Sequence, residues 1–366
     1  MKSFAIDPDI RSASTPPSWV YSDPEVFVAE KERVFLPSWQ MVADTDRVKV
    51  PGQVHPFTLL DNVLDEPLLL VRDSKDELRC ISNVCTHRAA LVCEHPGVET
   101  FLRCRYHGRR FTLDGRFQSM PEFEETLNFP SESDDLRQVP LGTWGKFLFA
   151  SLRPETKLEN LLEPLLERCA GFPLEDGVLD VSRSKDYLVR CNWALYCENY
   201  LEGFHIPFVH VGLAGALDYG SYRTELFQHS NLQVGIASGN AALPVLDLPK
   251  SSPDYGQRIV AYYFWVWPNM MFNVYPWGVS VNLVLPLAVD RTKVSFLNYV
   301  WDPEGLDSGA SASLDRVERE DEAVVEAVQR GLRSRIYERG RYSAKRETGT
   351  HHFHRILAEH LSRESA

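Results

Sequence analysis

A chain of 366 residues is long for a single core, so two domains are expected. Hydrophobic residues make up 44% and charged residues 25%, which is ordinary globular composition. A net charge of −12 with no basic cluster argues against nucleic acid or an anionic membrane as partner.

No run of about eighteen apolar residues occurs, so no membrane span is expected. Met1 to Pro17 lacks an apolar signal core, which points to a cytoplasmic protein. The first 38 residues read as a helical lead-in. Asp23 caps it, Pro24 opens its first turn, and apolar residues recur at helical spacing to Phe35, so the helix is expected to pack on the domain behind it. From 39 to 155 the pattern changes to short β-rich runs broken by Pro, Gly, Asp and Asn: Trp39–Ala43, Phe57–Leu60, Leu68–Arg72, Leu78–Ser82 and Lys146–Ala150. This predicts a small all-β domain with two cysteine–histidine loops at its tips. One is Cys85-Thr86-His87; the other is Cys104-Arg105-Tyr106-His107-Gly108.

Two thiolates and two imidazoles suit either a tetrahedral zinc or a mixed-ligand iron–sulfur cluster. A one-residue gap in the first pair is unusual for zinc. Cys-x-His with Cys-x-x-His is the spacing of a Rieske [2Fe–2S] centre, where two histidines replace two cysteines on one iron. The other five cysteines, Cys80, Cys93, Cys169, Cys191 and Cys197, are scattered singly and read as reduced thiols.

A helical connector over 156–174 opens the second domain, 156–366, in which Ile259–Val266, Met271–Tyr275, Val279–Leu285 and Thr292–Val300 read as strands. Ser313–Leu332 reads as a long helix. Its second chemical centre is Asn192-Trp193 followed by Glu198-Asn199, Glu202, His205 and His210. Glu202 and His205 fall on one helical face, and Pro207 is expected to break the helix and return His210 to the same point. Two histidines and one carboxylate form the facial triad of non-haem iron(II) oxygenases. Glu202 is the nearest carboxylate. Asp321 is the more suggestive one, because it falls on the apolar stripe Val317, Val325, Val328 of the late helix, where a lone charge needs a metal or a cation. Glu320 and Glu322 read as solvated, with Glu320 the alternative ligand. Either histidine alone would read as an ordinary hydrogen-bonded one; a cluster motif and a triad motif in one chain make a single electron-fed machine.

On these residues the chain resembles the catalytic α subunit of Rieske non-haem iron ring-hydroxylating oxygenases, and within them the choline monooxygenase-like subgroup. Cys85-Thr-His-Arg, Cys104-Arg-Tyr-His-Gly, Glu202-x-x-His205-x4-His210 and Glu320-Asp321 carry the resemblance, as does the run from Trp267 to Trp277. It implies an α+β protein: an N-terminal all-β Rieske domain, then a helix-grip (START-like) domain with an antiparallel sheet. It also implies a [2Fe–2S] cluster on Cys85, His87, Cys104 and His107, and Fe(II) on His205, His210 and Asp321. In a homotrimer, or a ring with added β subunits, His107 would face His205 of a neighbour, with Glu202 as the bridge and Asn199 beside the iron. An NAD(P)H-dependent flavin/iron–sulfur reductase would supply electrons. The expected substrates are O₂ and a small quaternary ammonium compound, with Tyr263, Trp265, Phe272 and Trp277 supplying an aromatic cage. The alternatives are hydroxylation of an aromatic acid, or an electron carrier or ligand-binding protein without iron. One departure stands out: the family's cluster loop often continues His-Gly-Trp, whereas this chain has Arg109-Arg110.

Overall fold

The computed structural model describes residues 3–210, 222–237, 243–306 and 314–363, with backbone alone at 314 and 315. Contacts divide the chain into two compact units, Leu36–Glu155 and a second built from Met1–Phe35 and Thr156–Ala366.

The first unit holds eleven strands: β1 (Gln40–Asp44), β2 (Gln53–Leu59), β3 (Glu66–Arg72), β4 (Leu78–Ser82), β5 (Gly97–Val98), β6 (Leu102–Arg103), β7 (Arg110–Phe111), β8 (Phe117–Ser119), β9 (Gln138–Val139), β10 (Leu141–Trp144) and β11 (Phe147–Ala150). They form three antiparallel sheets, ordered β5-β2-β3-β4-β9, β1-β11-β10 and β6-β7-β8. The apolar run Leu68–Val71 is buried throughout because β3 is a central strand covered on both faces. The five strands expected from the sequence are present, Leu78–Ser82 with the same ends and the other four with shifted ends. The short strands β5 to β9 carry no periodic signal, and they are the ones that frame the cysteine–histidine loops.

The lead-in helix α1 (Pro24–Glu30) has the expected start: the Asp23 carboxylate accepts from Glu25 N and Pro24 occupies the first turn. Its partner is not the β domain that follows it in sequence. It belongs with the C-terminal unit, where Phe35 packs against Trp193 at 5.1 Å and Arg33 donates to the Leu361 carbonyl. Glu30 is fully buried there beside Trp193, and burial pushes its pKa up to about 8. The unfolded chain releases this proton near 4.5 and the fold keeps it to about 8, so stability falls as pH rises through that window. Glu30→Gln is expected to melt several degrees above wild type at pH 8.5 and close to it at pH 4.5, read by calorimetry; a pH-independent difference would contradict the burial argument.

Among its described residues, the second unit has eight more strands: β12 (Val178–Leu179), β13 (Lys185–Val189), β14 (Arg223–Leu226), β15 (Ser230–Ile236), β16 (Ile259–Val266), β17 (Met270–Tyr275), β18 (Gly278–Ala288) and β19 (Arg291–Val300). The antiparallel order is β12-β19-β18-β17-β16-β15-β14, with β13 also paired to β19. The helices are α2 (Leu158–Leu161) and α3 (Glu163–Arg168) in the connector, then α4 (Trp193–Tyr200), α5 (Ile206–Val209), α6 (Leu314–Gly331) and α7 (Thr348–Ser362). Helix α4 packs on β18, α6 and α7. A buried ion cluster ties α3 to the sheet: Arg168 pairs with Asp254 and with Glu225, and Tyr262 donates to Asp254. β16 to β19 match the sequence reading. β13 to β15 and α7 are additions to it, and Ser313, read as the start of the late helix, lies outside the described residues.

Helix α6 is seated differently from its apolar periodicity. Glu318, Val325, Gln329 and Leu332 are buried, whereas Val328 is 44% exposed. The inward face is partly polar because α4 satisfies it. The Gln329 side chain accepts from Asn192 N at 2.7 Å, and the Glu318 carboxylate accepts from the Tyr196 hydroxyl. Polar residues with partners outcompete a valine for the interior.

Candidate metal centres and active-site pocket

Each cysteine–histidine loop is built the same way. Ala89 N donates to the Cys85 carbonyl and Cys85 N to the Ala90 carbonyl; Gly108 N donates to the Cys104 carbonyl and Cys104 N to the Arg109 carbonyl. The fourth residue past each cysteine turns left-handed, Ala89 at φ 56° and Gly108 at φ 77°, and so folds the chain back over its own cysteine. Cys85 and Cys104 are buried in the core of this unit beside Val92, Leu102 and Phe111. The His87 and His107 rings meet edge to face at 4.8 Å, and His107 Nδ1 is buried without a hydrogen-bond partner. Two sheltered thiols, two facing imidazoles and an orphaned ring nitrogen fit a [2Fe–2S] cluster, which Cys85, His87, Cys104 and His107 would hold.

Arg109 is 2% exposed and lies under this site, its guanidinium over the rings of Phe111, Phe117 and Phe129 and 2.6 Å from the Asp134 carboxylate. The arginine that stands where the family's loop often has tryptophan is thus a caged cation. Of the scattered cysteines, Cys80, Cys169, Cys191 and Cys197 are buried, which raises their thiol pKa values and leaves them unreactive; Cys93 is half-buried.

In the second unit, Asn192 caps α4 by accepting from Ala194 N, which places the buried Trp193 at its start. The helix ends at Tyr200, so Glu202 and His205 do not share a helical face as the sequence suggested. Glu202 lies in the following turn, where its carboxylate accepts from Phe204 N and His205 N. Pro207 does not break a helix; it occupies the first turn of α5, where its missing N–H costs nothing. The one-turn α5 then carries His210 back beside His205, with ring centroids 5.2 Å apart.

His205, His210 and Asp321 offer ligand atoms all within 4.8 Å of one another. The Asp321 carboxylate lies 3.5 Å from His205 Nε2 and 3.1 Å from His210 Nε2. On the far side of each ring, Nδ1 meets a different carboxylate: Glu202 at 2.7 Å from His205 and Glu320 at 2.8 Å from His210. Glu320 is therefore not solvated, as its sequence position suggested; it is half-buried and paired with Arg316 at 3.0 Å. Nor is Glu322, which is also half-buried, with one carboxyl oxygen sequestered. Burial opposes a charge on His210, but Asp321 and Glu320 outweigh it and raise its pKa. Two imidazoles oriented from behind by carboxylates, both Nε2 atoms converging on a third, fit a mononuclear iron.

A cavity is lined by His205, His210 and Asp321 and walled by Tyr196, Tyr200, Tyr222, Tyr263, Tyr275 and Phe296, with Asn199, Val317 and Glu318 also on its lining. Burial pushes the hydroxyl pKa values of Tyr196, Tyr200, Tyr222 and Tyr275 well up and that of Tyr263 to about 12, so the wall is neutral. Of the four aromatics expected from the sequence, Tyr263 alone lines the cavity. Trp265 shares its face of β16 but lies further along, against Phe353 of α7. Phe272 alternates to the opposite face of β17 from the lining residues Asn273 and Tyr275. Trp277 stacks behind Tyr275 at 5.2 Å and supports the wall without forming it. The sequence reading missed Tyr196, Tyr200, Tyr222 and Phe296 as lining residues; only the first two stood near the histidine motif.

Residues 38–133 match the model of the Rieske [2Fe-2S] domain and residues 177–363 that of the ring hydroxylating alpha subunit (catalytic domain). The chain is 33% identical to chloroplastic choline monooxygenase of Arabidopsis thaliana, over 97% of this chain and 85% of that one. It is 28% identical to the carnitine monooxygenase oxygenase subunit of Escherichia coli K12, over 98% and 96%. The crystal structure of the quaternary ammonium Rieske monooxygenase CntA with its substrate L-carnitine superposes with a TM-score of 0.77 at 25% identity, over 97% of both chains.

Proposed function

Because the chain belongs to the Rieske ring-hydroxylating oxygenases, an oxidoreductase family with a [2Fe–2S] cluster and a mononuclear iron, we propose that it hydroxylates a quaternary ammonium compound. The observation that carries this reading is the cavity itself, lined by His205, His210 and Asp321 together with Tyr196, Tyr200, Tyr222, Tyr263 and Tyr275. Aromatic faces bind a trimethylammonium group through their quadrupoles while excluding water. The relatives that act on choline and carnitine support the same substrate class.

The iron, held by His205, His210 and Asp321, would supply the redox chemistry of O₂. The protein does the positioning. Glu202 and Glu320 fix the ring orientations of His205 and His210, Asp321 balances the charge of the metal, and Asn199 faces the same space. One oxygen atom enters a C–H bond of the substrate and the other leaves as water, with two electrons delivered from a separate NAD(P)H-dependent reductase through the cluster and two protons taken up from solvent. An N-methyl carbon hydroxylated in this way is lost as formaldehyde; an alcohol carbon becomes an aldehyde hydrate. We place the chain in a homotrimer in which His107 of one protomer serves His205 of the next. Glu202, already bonded to His205 Nδ1, is the bridge.

The test is a single turnover. The protein is reduced chemically, then exposed to O₂ with choline, glycine betaine, carnitine or stachydrine, and in parallel with aromatic acids. Formaldehyde or an oxidised amine from the first group is expected. Hydroxylated or dihydrodiol product from the aromatic acids, with none from the amines, would overturn the reading.

A further inference from the structure

Among the described residues, four carboxamides line the cavity that holds the two histidines: Asn199, Gln233, Asn273 and Asn282. Strands seldom carry asparagine, and a carboxamide taken into a sheet interior needs partners for its oxygen and for its nitrogen. Gln233 has both. Its oxygen accepts from the Tyr222 hydroxyl at 3.0 Å, and its nitrogen donates to the Tyr200 carbonyl at 2.6 Å.

Asn273 and Asn282 are different. They interrupt apolar, buried stretches, Asn273 between Phe272 and Val274 of β17 and Asn282 after Val281 of β18, and they are 6% and 4% exposed. Asn273 pairs with Ser280 across the β17–β18 ladder, and Asn282 lies two residues further along β18. The two side chains are therefore diagonal neighbours on one face of the sheet. Each carboxamide oxygen is occupied by a hydroxyl. Asn273 Oδ1 accepts from Tyr200 at 2.6 Å, the shorter of that hydroxyl's two contacts, the other being 3.1 Å to the Phe264 carbonyl. Asn282 Oδ1 accepts from Ser280 at 3.2 Å. Neither Nδ2 has a partner among the described residues. No lysine or arginine lines the cavity among those residues either, so a substrate oxygen entering it finds carboxamide donors and no cation. Buried donors left unpaired favour a ligand that brings an acceptor and reject the analogue that lacks it.

We propose that Nδ2 of Asn273 and Nδ2 of Asn282 form a donor pair for an oxygen of the substrate, a hydroxyl or a carboxylate, on the same molecule that carries the ammonium group. The inference rests on the quaternary ammonium reading above and adds to it a second point of recognition, on the sheet.

The experiment is calorimetric binding to the iron-loaded protein without O₂, so that it reads affinity and not turnover. The probes are choline, glycine betaine and propyltrimethylammonium, in which a methyl group replaces the choline hydroxyl. Wild type is expected to bind choline, glycine betaine or both at least about ten-fold more tightly than propyltrimethylammonium. Choline ahead identifies the oxygen as a hydroxyl; glycine betaine ahead identifies it as a carboxylate. Asn273→Leu and Asn282→Leu nearly keep the volume and remove the donor. Each is expected to reduce the preference to about three-fold or less, with the affinity for propyltrimethylammonium unchanged. Iron content and the cluster spectrum are measured on each variant, so that loss of the fold or the metal is told apart from loss of the donor.

Propyltrimethylammonium binding to wild type as tightly as both oxygenated probes overturns the proposal without any variant. So do leucine variants that keep the full preference, or that weaken all three probes equally. In each of those cases the cavity still takes quaternary amines. Binding of aromatic acids with no binding of any amine would instead remove the substrate reading on which the proposal stands.

Discussion

Replacing His205 with alanine is expected to abolish turnover and to lower the iron content by one atom per chain, while the visible spectrum of the [2Fe–2S] cluster is retained. The triad supplies few ligands, so loss of one imidazole leaves His210 and Asp321 as a chelate too weak to retain Fe(II) at working concentrations. The cluster ligands lie in the other compact unit, Leu36–Glu155, which has its own apolar core around Cys85 and Cys104. Iron analysis, the absorption spectrum and product assay on one preparation check all three outcomes. Turnover that survives the substitution would end the assignment of His205 to the iron.

The second large effect separates a ligand from the group that orients a ligand. Asp321 approaches both Nε2 atoms, whereas Glu320 bonds only the rear nitrogen of His210 and is itself held by Arg316. Asp321→Asn is expected to cost on the order of 10³-fold or more in kcat, with no recovery when Fe(II) is added, because it removes the anionic donor itself. Glu320→Gln is expected to weaken metal binding by about 10- to 100-fold, the usual penalty for losing a group that orients a metal-binding imidazole, and to recover turnover in excess Fe(II). Titration of the two apoproteins with Fe(II), followed by activity at saturating metal, ranks them. The reverse order would make Glu320 the third ligand.

What could be read from the sequence was what is local. Cys85-x-His87 and Cys104-x-x-His107 are each confined to one loop, so ligand type and spacing survive without knowledge of the fold. His205 and His210 stand on a five-residue turn and are equally visible, although the path between them differs, because Pro207 starts a helix there where it was expected to stop one. Asp321 came to notice as a charge on an apolar stripe, a sound argument applied to a helix seated differently from its pattern. The buried acid of that helix is Glu318, and its burial depends on the Tyr196 hydroxyl from α4, more than a hundred residues earlier in the chain. The cavity wall was hidden for the same reason. Phe272 and Tyr275 are both buried aromatics of β17, and only the choice of which sheet face receives the helices decides that Tyr275 lines the cavity and Phe272 does not.

Arg109 has a consequence for electron flow. Its guanidinium is caged by Phe111, Phe117 and Phe129. It lies close enough to the cluster loops to act, with burial and His107, in lowering the pKa of His87, and its partner Asp134 is nearer to solvent and better screened. Each electron accepted there adds negative charge beside a fixed positive one. A cluster held on these loops would take up that charge beside the Arg109–Asp134 pair, so a residue that ligates nothing helps set the field around it.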